Sequence, residues 1–181
     1  MHNSTAAPAD ASARNPADWG SSKAAAGAAE LTQFISFAIG DDQYGVDIMA
    51  VREIKGWSEV SNLPKQPDYV RGVLNLRGVI VPIIDLRRRF GQGATEATAS
   101  HIVIIVQIGP RLIGMLADRV LDIVSLDATT IQPVPRISQS ARVDFLSGLV
   151  TVDGALIALI DLPNMLALPG DGGDTAAQIG H

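Results

Sequence analysis

Between residues 31 and 168 the apolar positions fall in short runs separated by glycine, proline and aspartate. Phe34-Ile35-Ser36-Phe37-Ala38-Ile39 is aromatic and β-branched and stops at Gly40-Asp41-Asp42, which predicts a strand ending in a turn. Tyr44-Gly45-Val46-Asp47 reads as the returning strand. Ile48, Val51 and Ile54 are spaced by three, which predicts one or two helical turns over Ile48 to Ile54. Val79 to Ile84 predicts another strand, with Pro82 at an edge or a bulge because it cannot donate to a ladder. Asp85 is placed to cap a short helix running through Phe90, with Gly91 as its stop. Ile102 to Ile108 is the longest apolar run, and it fits a buried strand. Many short strands with such punctuation predict a mostly β fold of closed or sandwiched sheets.

The chain also repeats itself. Residues 69–86 align without a gap to residues 145–162, with Gly72 opposite Gly148, Gly78 opposite Gly154, and Ile84-Asp85-Leu86 opposite Ile160-Asp161-Leu162. A weaker match sets Gly45 and Val51-Arg52-Glu53-Ile54 against Gly114 and Val120-Leu121-Asp122-Ile123 at equal spacing. Two copies are too few for a solenoid, so two small barrels packed side by side are expected. Gly78 and Gly154 follow hairpin turns that need φ > 0, and Gly72 and Gly148 allow a bulge or a close backbone approach. Positions shared by both copies serve the fold, and positions that differ are free to carry function. Asn75-Leu76-Arg77-Gly78 differs from Thr151-Val152-Asp153-Gly154 at every position but the glycine, which makes the first hairpin tip a candidate contact surface.

Outside this core, residues 1–30 are rich in Ala, Ser, Pro and Gly and read as a disordered arm, and residues 169–181 read as a flexible tail. Hydrophobic residues make up 47% of the 181, enough for a packed core. The net charge of -5 gives no attraction for nucleic acid. The basic run Arg87-Arg88-Arg89 is the local exception and is expected to be a solvated helix face. The absence of cysteine removes disulfides and thiolate chemistry and agrees with a reducing compartment. No apolar run is long enough to span a bilayer and the N-terminus lacks a signal-peptide core, so a cytoplasmic protein without direct membrane insertion is expected.

Catalytic constellations are missing from the sequence. His2 and His181 lie in the tails, and His101 reads as a strand-end histidine. No histidine or carboxylate pair has metal-ligand spacing, and neither a nucleophile elbow nor a phosphate-binding glycine loop occurs. Asp41-Asp42 and Asp118 with Asp122 are explained by turns and short helical faces. The expectation is therefore a protein that is not an enzyme, with no catalytic residues, metal or cofactor. What remains is surface. Glu53 and Arg77 form an opposite-charge pair that is either a structural salt bridge or the rim of an apolar groove for a partner helix. Val51 and Ile54, with Ile102 and Val120 facing them from the second unit, are either that groove or ordinary core.

These residues resemble the CheW family. The carriers are Ile39 to Ile48, Val51-Arg52-Glu53-Ile54, Arg71 to Leu86 with its Asn-Leu-Arg-Gly stretch, and Ile113 to Asp118 with the Gly148-Leu149 region. The resemblance runs from about Gln33 to Leu168. It implies two tandem SH3-like five-stranded barrels with short helices and a groove between them. It implies a scaffold that couples methyl-accepting chemotaxis receptors to the regulatory domain of the histidine kinase CheA. By matching positions, Val51, Glu53, Ile54, Arg77 and Ile102 would serve the receptor side, and Gly72, Asn75 and Leu76 the kinase side. A second reading is an adaptor of a parallel pathway controlling surface motility or second-messenger output. The kinase itself and receiver-bearing couplers share the domain, but no kinase signature precedes it here and too few residues follow it for a receiver domain.

Overall fold

A computed structural model describes residues 30–135 and 144–167, and the folded unit begins at Leu31. The expected N-terminal arm, but for Glu30, and the tail at 169–181 lie outside the described residues. Ten strands form two five-stranded sheets. They are β1 (Leu31–Ile39), β2 (Asp42–Asp47), β3 (Val51–Gly56), β4 (Val70–Leu76), β5 (Val79–Asp85), β6 (Ile102–Ile108), β7 (Arg111–Ala117), β8 (Arg119–Asp127), β9 (Leu146–Val152) and β10 (Ala155–Ile160). Two four-residue helices, α1 (Leu86–Arg89) and α2 (Leu162–Met165), follow β5 and β10. The fold is mostly β, as expected.

The strand orders are β3-β6-β7-β5-β4 and β8-β1-β2-β10-β9. The first is called barrel 1 and the second barrel 2. Each order turns into the other when strands of one repeat copy are exchanged for those of the other. The repeat is tandem in sequence, yet each barrel takes its hairpin β1–β2 or β6–β7 from one copy and its other three strands from the other. The irregularities obey the same symmetry. Arg52 bulges from β3 between Val51 and Glu53, and its counterpart Leu121 is the extra residue of β8 between Val120 and Asp122. Arg71 and Ser147 are likewise the extra residues of β4 and β9.

The apolar runs are explained by what covers each face. In β6, Val103 and Ile105 point into barrel 1, with Val81, Ile83 and Leu116. Ile104 and Val106 point into the core between the sheets, where they meet Ile35, Phe37, Tyr44, Val46 and Met165. A strand covered on both faces has no polar face to alternate with. Barrel 2 has its own interior of Leu126, Val150, Ile157 and Leu159. The interiors are narrow. A Cβ on Gly114 would lie 2.4 Å from Ile83 Cδ1, and one on Gly45 2.8 Å from Leu159 Cδ2.

Both hairpin tips are two-residue turns with positive φ at each residue, Arg77 (50°) and Gly78 (88°) in one, Asp153 (50°) and Gly154 (79°) in the other. This is the type I′ turn that suits the twist of paired strands. Gly72 (φ 150°) sits beside its bulge, and a Cβ there would lie 2.4 Å from the Ser61 carbonyl oxygen. Val73 pairs with Ser61 across that approach, as Leu149 pairs with Gln132. Pro82 pairs with Val73 of β4, while the parallel pairing of β5 with β7 begins only at Ile83. Its missing N–H therefore falls where β5 has left β7, an edge position inside a central strand.

Asp85 and Asp161 cap α1 and α2 through Arg88 N (3.4 Å) and Asn164 N (3.3 Å). Two expectations are corrected. Ile48–Ala50 is one 3-10 turn and Val51–Gly56 is strand β3, so the predicted helical turns stop at Ala50. The spacing of three between Val51 and Ile54 is that of a bulged strand. Nor do all three arginines form a solvated face: Arg88 is exposed, as expected, but Arg87 and Arg89 are half-buried. Arg87 pairs with Asp118 at 2.8 Å, and Arg88 pairs with Asp68 at 3.5 Å. Arg89 lies between the rings of Tyr69 (4.1 Å) and Phe145 (4.5 Å) and donates to the Met165 carbonyl. Only Arg88 of this four-residue helix keeps to the solvent side, and each guanidinium reaches a different distant segment.

Candidate surface on barrel 1

Edge strand β3 and the β4–β5 hairpin carry most of the residues singled out from the sequence. Arg77 Nη2 lies 3.4 Å from Glu53 Oε2, so these two do meet. The Arg77 side chain is 80% exposed and that of Glu53 30%, which limits the pair to about 0–1 kcal/mol. Its effect is on direction, since it ties the hairpin tip to β3. Asn75 Oδ1 accepts from Gly78 N at 2.8 Å and braces the turn, leaving Asn75 itself exposed. Leu76 is half-buried against the barrel 1 interior.

The other sites are placed differently. Ile54 is exposed on β3, whereas Val51 packs against the core between the sheets. Gly72 is buried beneath the Ser61 carbonyl, and Gly148 has the same surroundings of crowded backbone and side chain in the second copy. By the repeat's own logic Gly72 shapes the strand. Ile102 does not face β3 from the second unit. It pairs with Gly56 of β3 inside barrel 1 and packs partly on the shared core. Val120 is on β8 of barrel 2. The strand exchange explains the correction, because β6 belongs to the second copy in sequence and to the first barrel in space.

Two apolar residues were not chosen from the sequence. Val79 and Ile80, just past the turn, are 48% and 60% exposed. The signal was present, since two successive apolar residues beside a two-residue turn cannot both face the interior of an alternating strand. In barrel 2 the counterparts are Ala155 and the exposed Leu156. The matching charges are Asp122 and Asp153, both acidic, so no ion pair analogous to Glu53–Arg77 can form there.

Away from this surface the polar groups are tied into the fold. His101 Nδ1 accepts from Thr98 N at 3.0 Å, and its Nε2 lies 3.5 Å from Asp118 Oδ1. Asp118 Oδ2 also accepts from Gly40 N at 2.7 Å and from Arg87. His101 thus closes the foot of β6 against the β1–β2 turn. Among the described residues there is no group of three or more acidic, histidine or cysteine side chains disposed to hold a metal, and no helix long and apolar enough to cross a membrane.

Comparison with known proteins agrees with this architecture. The CheW-like domain family matches residues 33–169. The chain is 42% identical over 130 residues to the probable chemotaxis protein CheW of Rhizobium etli, covering 72% of this chain and 84% of that one. It is 40% identical over 133 residues to the chemotaxis protein CheW of Rhizobium meliloti, covering 74% and 86%. The crystal structure of the scaffolding protein TtCheW from Thermoanaerobacter tengcongensis superposes with a TM-score of 0.69 at 29% identity, over 77% of this chain and 90% of that one. Exchanged five-stranded barrels, the Asn-Leu-Arg-Gly hairpin and a match across most of the length converge on one assignment: the chain is a member of the CheW-like domain family.

Proposed function

We propose that this chain is a non-enzymatic adaptor that couples methyl-accepting chemotaxis receptors to the histidine kinase CheA, at the inner face of the membrane where the receptor tips lie. The observation that carries the reading is the contrast between two hairpins of the same backbone. Both tips have the same turn, yet only the first presents a cation, Arg77, joined to Glu53 and bordered by exposed Val79 and Ile80. The fold does not require those side chains, so another demand keeps them, and contact with a partner is that demand. Apolar centre and charged rim are the usual anatomy of a recognition surface.

In this reading Glu53, Ile54 and Arg77 touch the receptor, and Val51 and Ile102 hold β3 and β6 in place beneath them. Asn75 and Leu76 serve the kinase, with Gly72 setting the path of β4. The test is a transplant. Residues 75–80 are replaced by the sequence of residues 151–156, which forms the same turn. The melting temperature should move by less than a few degrees, while binding to a receptor fragment and to the kinase regulatory domain falls at least tenfold. Full binding by the transplanted protein would refute the assignment of this surface.

A further inference from the structure

The chain passes from one barrel to the other twice, at Ile48–Ala50 between β2 and β3 and at Asp118 between β7 and β8. The repeat makes Met49 the counterpart of Asp118, yet the two crossings are sealed differently. At the first-named residue's counterpart, Asp118, the carboxylate accepts from Gly40 N at 2.7 Å and from Arg87 at 2.8 Å. The Arg87 guanidinium covers Gly40, where a Cβ would meet its nitrogens at 3.9 and 4.0 Å. At the other crossing Met49 is 80% exposed and Pro163 stands in place of Arg87. A Cβ on Gly109, the counterpart of Gly40, would meet nothing within 4 Å. A cleft of about 490 Å3 is open there, between the β2–β3 crossing, the end of β6 and the start of α2.

Ala50, Ile108, Ile160 and Leu162 give this cleft apolar walls, and Asp47 and Asp161, both half-buried, give it two carboxylates. Ser147 also lines it and is the counterpart of Arg71. In barrel 1 Arg71 lies 3.4 Å from Asp85, the counterpart of Asp161. The second copy thus lacks both arginines that serve this region in the first, and keeps the carboxylate. Among the described residues the Asp161 side chain accepts only from Asn164 N, and that of Asp47 only from Met49 N, so both retain acceptor capacity. None of the described residues lining the cleft is cationic, and Arg52 reaches Gln107 Oε1 at 2.6 Å without lining it. A carboxylate beside an apolar wall suits a guanidinium on an aliphatic stem, because the stem is buried while the head is paired. The twin region shows the fold accommodating that chemistry twice, with Arg71 and with Arg87.

We infer that this cleft is a docking site for an arginine on a segment of a partner protein, with the guanidinium on Asp161 and the stem against Ile108 and Leu162. The cleft is larger than one such side chain, and its remaining apolar wall takes the arginine's neighbours. The inference is independent of the coupling role, because it is read without kinase or receptor. Its probe is the peptide acetyl-Leu-Arg-Leu-amide, titrated into the full chain and followed by backbone amide NMR. Saturable shifts are expected at residues 47–50, 107–109 and 160–162, with a dissociation constant of about 1 mM. The twin crossing at 38–40 and 116–119 should stay silent. In Asp161→Asn, which keeps a capping side chain on α2, affinity should fall about fivefold. The double variant Met49→Asp, Pro163→Arg copies the latch of the other crossing into the cleft, and should abolish the shifts without lowering the melting temperature. Equal response to acetyl-Leu-Gln-Leu-amide would overturn the proposal, as would full response in the latched variant or no saturable shift. Shifts at the same amides without peptide, either on raising protein concentration or in Arg136→Ala or Arg142→Ala, would give the cleft to this chain's own arginines and overturn it too.

Discussion

Asp85 and Asp161 occupy equivalent positions and cap equivalent helices, but their surroundings differ, and that difference sets up a quantitative test. Asp85 is 1% exposed, and its oxygens accept from Thr95 N at 2.8 Å, Thr95 Oγ1 at 2.6 Å and Arg88 N. Arg71 lies 3.4 Å away, donates to the Thr95 carbonyl and stands over the Trp57 ring. This network pins residues 93–97 over barrel 1. Among the described residues the Asp161 side chain accepts only from Asn164 N. Asp161→Ala should therefore cost about 1 kcal/mol, the worth of a cap. Asp85→Ala removes a cap as well and leaves the Thr95 N–H and hydroxyl without their acceptor, at about 1–3 kcal/mol for a buried unsatisfied group. Arg71 retains its carbonyl, its ring and partial access to water, so its share is small. With two such groups the total is about 3–7 kcal/mol. With a urea dependence of about 2 kcal/mol per M for a domain of this size, the midpoint should drop by roughly 2–3 M for Asp85→Ala and by about 0.5 M for Asp161→Ala. Asp85→Asn keeps one acceptor and should fall between. Equal midpoints for the two alanine variants would show that the network adds nothing to the cap.

The narrow barrel interiors give a second test: Gly114→Ala should destabilise by about 1–3 kcal/mol, and more than Gly45→Ala, since its Cβ would meet Ile83 at 2.4 Å against 2.8 Å to Leu159. Thermal denaturation of both variants checks the order. Arg89→Ala should lower stability by about 2 kcal/mol by emptying the space between Tyr69 and Phe145, and Arg89→Lys should recover less than half of that, because a lysine cannot stack as a plane. Urea unfolding read by far-UV circular dichroism measures both.

Much of this was legible in the chain because hairpins and caps are local. Gly40, the Arg77-Gly78 and Asp153-Gly154 turns, and the caps at Asp85 and Asp161 each depend on a few neighbouring residues whose types state the backbone they need. The pairing of Glu53 with Arg77 was legible as opposite charge. The strand exchange was not. The two copies share a pattern, so β1–β2 would satisfy either copy's remaining strands equally well on paper, and only the packed chain shows which barrel each hairpin enters. The same ambiguity misplaced Ile102. Strand β3 was misread because the Arg52 bulge shifts the alternation and gives Val51 and Ile54 the spacing of a helix. The roles of Arg87, Arg88 and Arg89 depend on Asp118, Asp68 and Met165, which only tertiary structure brings near.

Autophosphorylation of the cognate CheA in reconstituted receptor membranes reads the proposed coupling of receptor to kinase without an intermediate step. Strong stimulation is expected only when receptor, kinase and this protein are all present, and it should be lost for Arg77→Glu, which sets like charge against Glu53 at the hairpin tip. Kinase activity that is the same with and without the folded protein would contradict it.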